Sequence, residues 1–189
     1  QAEVFEGAQG LMLDEFLGDF PHVTRSITGL PYALIAAKEL GIKTIRPIYV
    51  TRTYATRHGA GSLMGSGIEM GCNIVDKTNV ENEWQGAIRF APLNLKELAY
   101  FIKQDMARGS GVAQIFDIEV DTPTVAVTCF DQCSSKVLVT NLSGSLVSIK
   151  KENLISYISD ALGLPVSHVS SGPTADDVKY FGKSLKEIK

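Results

Sequence analysis

Leu30-Pro31-Tyr32-Ala33-Leu34-Ile35-Ala36-Ala37-Lys38-Glu39-Leu40-Gly41, followed by Thr44-Ile45-Arg46-Pro47-Ile48-Tyr49-Val50, decides the fold class of this chain. Leu30, Ala33, Leu34, Ala37 and Leu40 repeat at the spacing of one helical face, and Pro31 suits an early helical position. Thr28 is the expected cap, and Gly41 is placed to end the helix in the left-handed region. The β-branched run from Thr44 to Val50 then reads as a strand.

The same alternation continues. Leu95, Leu98, Ala99, Ile102 and Met106 predict a second helix over 95–107, started by Asn94 with Glu97 and closed by Gly109 and Gly111. A buried strand is expected over 124–130. The segments 136–140 and 146–150 read as a hairpin around Ser143-Gly144. A third helix over 152–162 stops at Gly163, and 166–170 is a last short strand. Helices alternating with strands imply an α/β layered fold with a partly parallel sheet and flanking helices. The polar, glycine-bearing, aperiodic stretch 64–83 reads as a long loop, a common place for function.

Composition narrows the class. Hydrophobic residues make up 44% and charged residues 21% of 189 positions, a globular balance rather than a disordered one. A net charge of −3 without a basic tract argues against nucleic acid as a partner. No apolar run is long enough to span a membrane, so a soluble, cytoplasmic protein is expected. Cys72, Cys129 and Cys133 form no disulfide framework and lack the further ligands of a metal site, so they read as structural or bystander thiols and no metal ligand is expected here. The chain opens at Gln1 without a signal peptide and reads as cut from something longer.

Three runs carry the candidate chemistry, the first and last of them glycine-bearing: Phe5-Glu6-Gly7-Ala8-Gln9-Gly10, Pro21-His22-Val23-Thr24 and Tyr54-Ala55-Thr56-Arg57-His58-Gly59-Ala60-Gly61. Glycine lets backbone approach a ligand, while an amide, hydroxyls and a guanidinium are the groups that hold purine edges and phosphates. A lone glycine turn is more often structural. In this order, the runs resemble the adenylosuccinate synthetase family, specifically its carboxy-terminal part.

The resemblance implies a ligase that joins L-aspartate to the 6-position of IMP with triphosphate hydrolysis, giving adenylosuccinate. It implies an incomplete P-loop-NTPase-like synthetase domain over 1–189, its amino-terminal half with the phosphate loop absent and this piece alone inactive. Gln9 matches the glutamine that contacts the base where it reacts, and so is the catalytic candidate. Leu13 matches a position beside the base, Thr24 a 5′-phosphate ligand, and Arg57 and His58 complete the substrate-nucleotide set. In 82–90, Gly86 and Arg89 keep family register, and Lys77 and Gln85 join them as candidates for aspartate. Arg89 also stands with Asp131, Ser170, Gly172 and Pro173 as the triphosphate set, through Thr128-Cys129-Phe130-Asp131 and Ser170-Ser171-Gly172-Pro173. GTP or ATP and Mg²⁺, the latter held outside this chain, are the implied cofactors, and a homodimer the implied assembly.

Two departures widen the options. Ala87 stands where the family has an arginine near the aspartate and the ribose 2′-hydroxyl, and Cys129 replaces a lysine beside the guanine. A branch making the 2-aminodeoxyadenylosuccinate analogue from dGMP, and a nucleotide-binding module without catalysis, are the alternative expectations.

Overall fold

The computed structural model describes residues 3–76 and 78–181, and the chain separates into two compact units. The first comprises Gln1–Pro47 and Ala99–Thr122, the second Ile48–Leu98 and Pro123–Lys189. No helix among the described residues is long and apolar enough to cross a membrane.

In the first unit, helix α1 spans Leu30–Glu39 and buries Leu30, Leu34 and Ala37 of the face that the periodicity predicted, while Leu40, just past its end, is exposed. Gly41 adopts φ +70° beyond its end, as a C-terminal stop requires. The cap differs from expectation. Gly29 is the N-cap residue, and no side chain of its own segment closes the helix. The carboxylate of Asp105 accepts the Leu30 N–H instead, at 3.1 and 3.0 Å from its two oxygens. Thr28 turns its hydroxyl to the Gly10 carbonyl. An anion at a helix start satisfies an orphan donor and meets the positive end of the dipole, whichever segment supplies it.

Helix α2 spans Leu95–Phe116 and runs through both glycines expected to end it. A Cβ on Gly109 would stand 2.4 Å from Leu30 Cδ2, so this glycine is the seat that lets Leu30 lie against the helix. The loss of helix propensity, about 1 kcal/mol per glycine, is offset by that burial. Asn94 Oδ1 does accept the Glu97 N–H, as the sequence indicated.

The expected strand over 44–50 is two strands. β1 (Thr44–Ile45) pairs in parallel with β5 (Glu119–Val120) in the first unit, while β2 (Ile48–Arg52) belongs to a sheet of the second. Pro47 lies at the break and has no N–H to continue a ladder. Ile45, Ala113 and Ile118 join the buried face of α1 to make the core of the first unit.

The second unit contains two four-stranded sheets. In one, β2, β6 (Thr124–Thr128) and β9 (Val166–Ser170) run parallel, and β10 (Val178–Tyr180) adds antiparallel to β9. In the other, β3 (Tyr54–Arg57), β4 (Arg89–Asn94), β7 (Lys136–Thr140) and β8 (Leu146–Lys150) lie in that order. β4 and β7 are parallel, with antiparallel neighbours on either side. The β7–β8 hairpin turns at Gly144, whose φ is +89°. Helix α3 (Lys151–Leu162) ends at Gly163 in the left-handed region. Val125, Val127, Val137, Val139, Leu154 and Ile158 are shut from solvent in its core. The strand expected over 124–130 ends at Thr128, because Cys129 adopts φ +59° and starts a one-turn helix over Phe130–Gln132. This is the α/β layered architecture with a partly parallel sheet.

Candidate functional site

The sequence candidates fall into three local constellations. The first lies in the first unit. Gln9 is exposed and holds φ +70°, a conformation that costs a residue with a Cβ roughly 1–2 kcal/mol. Such strain at a candidate ligand-contacting amide motivates a functional reading. Its neighbour Gly10 accepts from the Leu13 N–H at 2.9 Å and from the Thr28 hydroxyl at 3.2 Å. Leu13 in turn accepts the Thr24 N–H at 2.8 Å. Gln9, Leu13 and Thr24 therefore belong to one bonded set of loops.

Asp14 organises that set, and sequence reasoning missed it. Its side chain is fully buried. It accepts N–H groups from Phe16 at 2.9 Å, Leu17 at 3.1 Å and Thr28 at 2.8 Å, and an Arg108 guanidinium N–H at 3.0 Å. Burial opposes ionisation, but the Thr28 and Phe16 N–H groups and Arg108 outweigh it and hold the carboxyl below its ordinary 3.8. Arg108 comes from helix α2, 94 residues along the chain, so no local pattern signalled the pair.

The second constellation lies in the second unit, where β3 ends and β4 begins. Arg57 and Arg89 are register partners in the antiparallel pair. Arg57 Nε donates to the Ala60 carbonyl at 2.9 Å. Arg89 Nη2 donates to the carbonyls of Gly59 at 2.7 Å and Gly61 at 2.8 Å. A Cβ on Gly61 would stand 2.4 Å from Arg57 Nη2, and φ there is +105°, so glycine is needed twice over. His58 Nε2 lies 2.9 Å from the Gly86 carbonyl, which only accepts, so Nε2 carries the proton. Asn82 Oδ1 accepts from the Gln85 N–H and folds Gln85 and Gly86 toward this group. Arg57, His58, Gln85, Gly86 and Arg89 are thereby gathered around one glycine turn. Arg89 makes no ion pair among the described residues.

Lys77 lies outside the described residues. Asp76 beside it binds its own turn through the N–H groups of Asn79 and Thr78, which hold its carboxyl well below the usual range.

The third constellation sits at the carboxyl ends of the parallel strands β2, β6 and β9, the edge at which open α/β sheets bind ligands. Thr53, buried after β2, donates to the Thr128 carbonyl through its N–H and to the Cys129 carbonyl through its hydroxyl, each at 3.1 Å. Asp131 is exposed on the one-turn helix after β6, and that turn lies beside β9. Ser170 ends β9 and donates to the Gly172 carbonyl at 2.8 Å. A Cβ on Gly172 would come within 2.5 Å of the Asp177 carboxylate, and that carboxylate caps Thr174 just after Pro173. Asp131, Ser170, Gly172 and Pro173 thus share one sheet edge.

The comparisons point in one direction. Residues 2–83 match the family model described as adenylosuccinate synthetase. An adenylosuccinate synthetase of Lodderomyces elongisporus is 30% identical over an alignment covering 92% of this chain and 47% of the relative. One of Francisella philomiragia is 25% identical, covering 97% of this chain and 49% of the relative. A structure of fully ligated adenylosuccinate synthetase from Plasmodium falciparum superimposes with a TM-score of 0.61. At 16% identity, over 94% of this chain and 49% of that one, this likeness shows a common fold. The chain spans about half the length of the curated relatives it matches.

Proposed function

We propose that this chain, similar to the adenylosuccinate synthetases through residues 2–83 and its curated relatives, forms the substrate-recognition half of a purine-biosynthesis ligase. The reaction joins L-aspartate to the 6-position of IMP at the expense of GTP or ATP. The observation that carries the reading is the gathering of Arg57, His58, Gly86 and Arg89 around one glycine turn. Two guanidinium groups held by carbonyls form a fixed cationic centre, suited to phosphate or carboxylate.

In the reaction, the triphosphate transfers its terminal phosphoryl group to the purine O6, making a good leaving group. The aspartate amine then attacks C6, and phosphate departs. Gln9 is assigned to orient the purine edge, with Leu13 against the base and Thr24 at the 5′-phosphate. Arg57 and His58 are assigned to the rest of the mononucleotide, and Gln85, Gly86 and Arg89 to aspartate, with Lys77 the further candidate there. Asp131, with Ser170, Gly172 and Pro173, is assigned to the base of the triphosphate, a carboxylate being able to accept two N–H groups from guanine. Mg²⁺ supplies charge neutralisation to phosphates in such chemistry. Among the described residues no group of three His, Cys, Asp or Glu side chains could hold a metal, so no ligand to it is assigned here. The reading carries with it a cytoplasmic homodimer.

Ala87 favours a second reading. A missing arginine near the 2′-hydroxyl removes one reason to demand ribose, which admits dGMP as substrate and 2-aminodeoxyadenylosuccinate as product. The test is turnover of IMP and dGMP by the full-length protein with aspartate and GTP or ATP. Product from either substrate is expected, with kcat lowered more than KM is raised in Gln9→Ala. Binding of the mononucleotides without product would point to an inactive nucleotide-binding module. Neither binding nor product would refute the reading.

A further inference from the structure

Cys72 and Cys133 are opposite residues of an isolated antiparallel bridge. The bonds flanking them run from Asn73 N–H to the Gln132 carbonyl at 2.7 Å and from Ser134 N–H to the Gly71 carbonyl at 2.9 Å. That pattern makes the two cysteines a non-hydrogen-bonded pair, whose Cα atoms stand about 4.5 Å apart with side chains on one face. Disulfides span Cα separations from roughly 4.4 to 6.8 Å, so this spacing lies within reach. The register is fixed from outside as well. The Leu138 N–H donates to the Met70 carbonyl at 2.9 Å, and the Lys136 carbonyl fills the space a Cβ on Gly71 would take.

We propose that Cys72 and Cys133 form a reversible dithiol–disulfide modification site whose oxidant is a hydroperoxide small enough to reach a buried sulfur. The facing Cys133 thiol, together with burial, pushes the Cys72 thiol up and keeps its proton. The facing Cys72, with Thr53 and Lys151 adding to it against the cost of burial, lowers Cys133 to about 7. Lys151 Nζ is anchored 3.1 Å from the Cys133 carbonyl. Cys133 is buried and Cys72 half-buried, so a bulky disulfide is a poor oxidant for this pair.

The chemistry balances in two steps. The Cys133 thiolate attacks one peroxide oxygen, the O–O bond breaks, hydroxide leaves and takes up a proton, and Cys133 becomes a sulfenic acid. The Cys72 sulfur then attacks Cys133 Sγ, the S–O bond breaks, and the oxygen leaves as water with the Cys72 proton. The thiols lose two protons and two electrons, and hydrogen peroxide yields two waters.

The experiment treats the reduced full-length protein with hydrogen peroxide, alkylates the remaining thiols and maps peptides without reduction. The expected result is an intact mass lower by two hydrogens and one linked peptide pair joining Cys72 to Cys133, undone by dithiothreitol. Cys129→Ser retains the link. In Cys72→Ser, Cys133 accumulates as a sulfenic acid that dimedone traps. Thiols alkylated as fully as in the untreated protein, a link through Cys129, or direct passage of Cys133 to sulfinic acid with Cys72 present would each overturn the proposal.

Discussion

Replacing Asp14 by Asn keeps the side chain's shape and removes its charge, which isolates what that buried carboxylate does for the loops carrying Gln9, Leu13 and Thr24. One oxygen of Asp14 serves the Phe16 and Leu17 N–H groups and Arg108, and the other serves the Thr28 N–H. An asparagine has only one acceptor oxygen. Turned to keep Phe16, Leu17 and Arg108, it presents an NH₂ group to the Thr28 N–H, and two donors then face each other in a buried place. An orphaned buried donor costs about 1–3 kcal/mol, and the lost charge weakens the remaining bonds by about another 1 kcal/mol. Arg108 is partly exposed and can return to water, which keeps the total near 2–4 kcal/mol. Hydrogen exchange on peptides covering 14–28 in the full-length protein reads this directly. Opening of those amides should become roughly 30- to 1,000-fold more frequent, since each 1.4 kcal/mol is tenfold. The mononucleotide Kd should rise with it, because Thr24 hangs on the same loop. The pH dependence has a definite sign. The folded carboxyl titrates below 3.8, so its stabilisation is present above that value and is lost as pH falls through the folded one. The variant should lack that acid limb. Exchange within twofold of the parent protein at neutral pH would refute the role given to Asp14.

Three further outcomes are expected. Arg89→Lys replaces a fork that bridges the Gly59 and Gly61 carbonyls with a single ammonium; proteolysis within 58–63 should quicken several-fold and anion affinity fall by about 1–2 kcal/mol, checked by calorimetry with aspartate and nucleotide. Gly109→Ala drives a methyl into Leu30, which is 6% exposed, and should destabilise the first unit by about 1–3 kcal/mol in urea unfolding, whereas Gly111→Ala, with open space around it, should be neutral or stabilising. Burial lowers the His168 imidazole below its ordinary 6.5, so the folded state prefers it neutral; its stabilisation is present above 6.5 and lost as pH drops toward the folded value, and an NMR titration should find the midpoint below that of a model peptide.

What the sequence settled is what neighbours along the chain settle. The face of α1, the stops at Gly41 and Gly163, the Asn94–Glu97 start and the turn at Gly144 depend on residues a few positions apart, so periodicity and turn chemistry expose them. The order of the three runs was likewise readable and led to the family resemblance. Tertiary structure decided everything that depends on distant partners. Leu30 takes its cap from Asp105, 75 positions away, and Gly109 is silent as a helix stop because Leu30 occupies its side. Asp14 finds Arg108, Arg89 finds the 59–61 turn, and Cys72 finds Cys133, turning a bystander thiol into half of a pair. Local pattern encodes backbone preference, while a buried charge, a glycine seat or a thiol pair is defined only by what folding brings within a few ångströms.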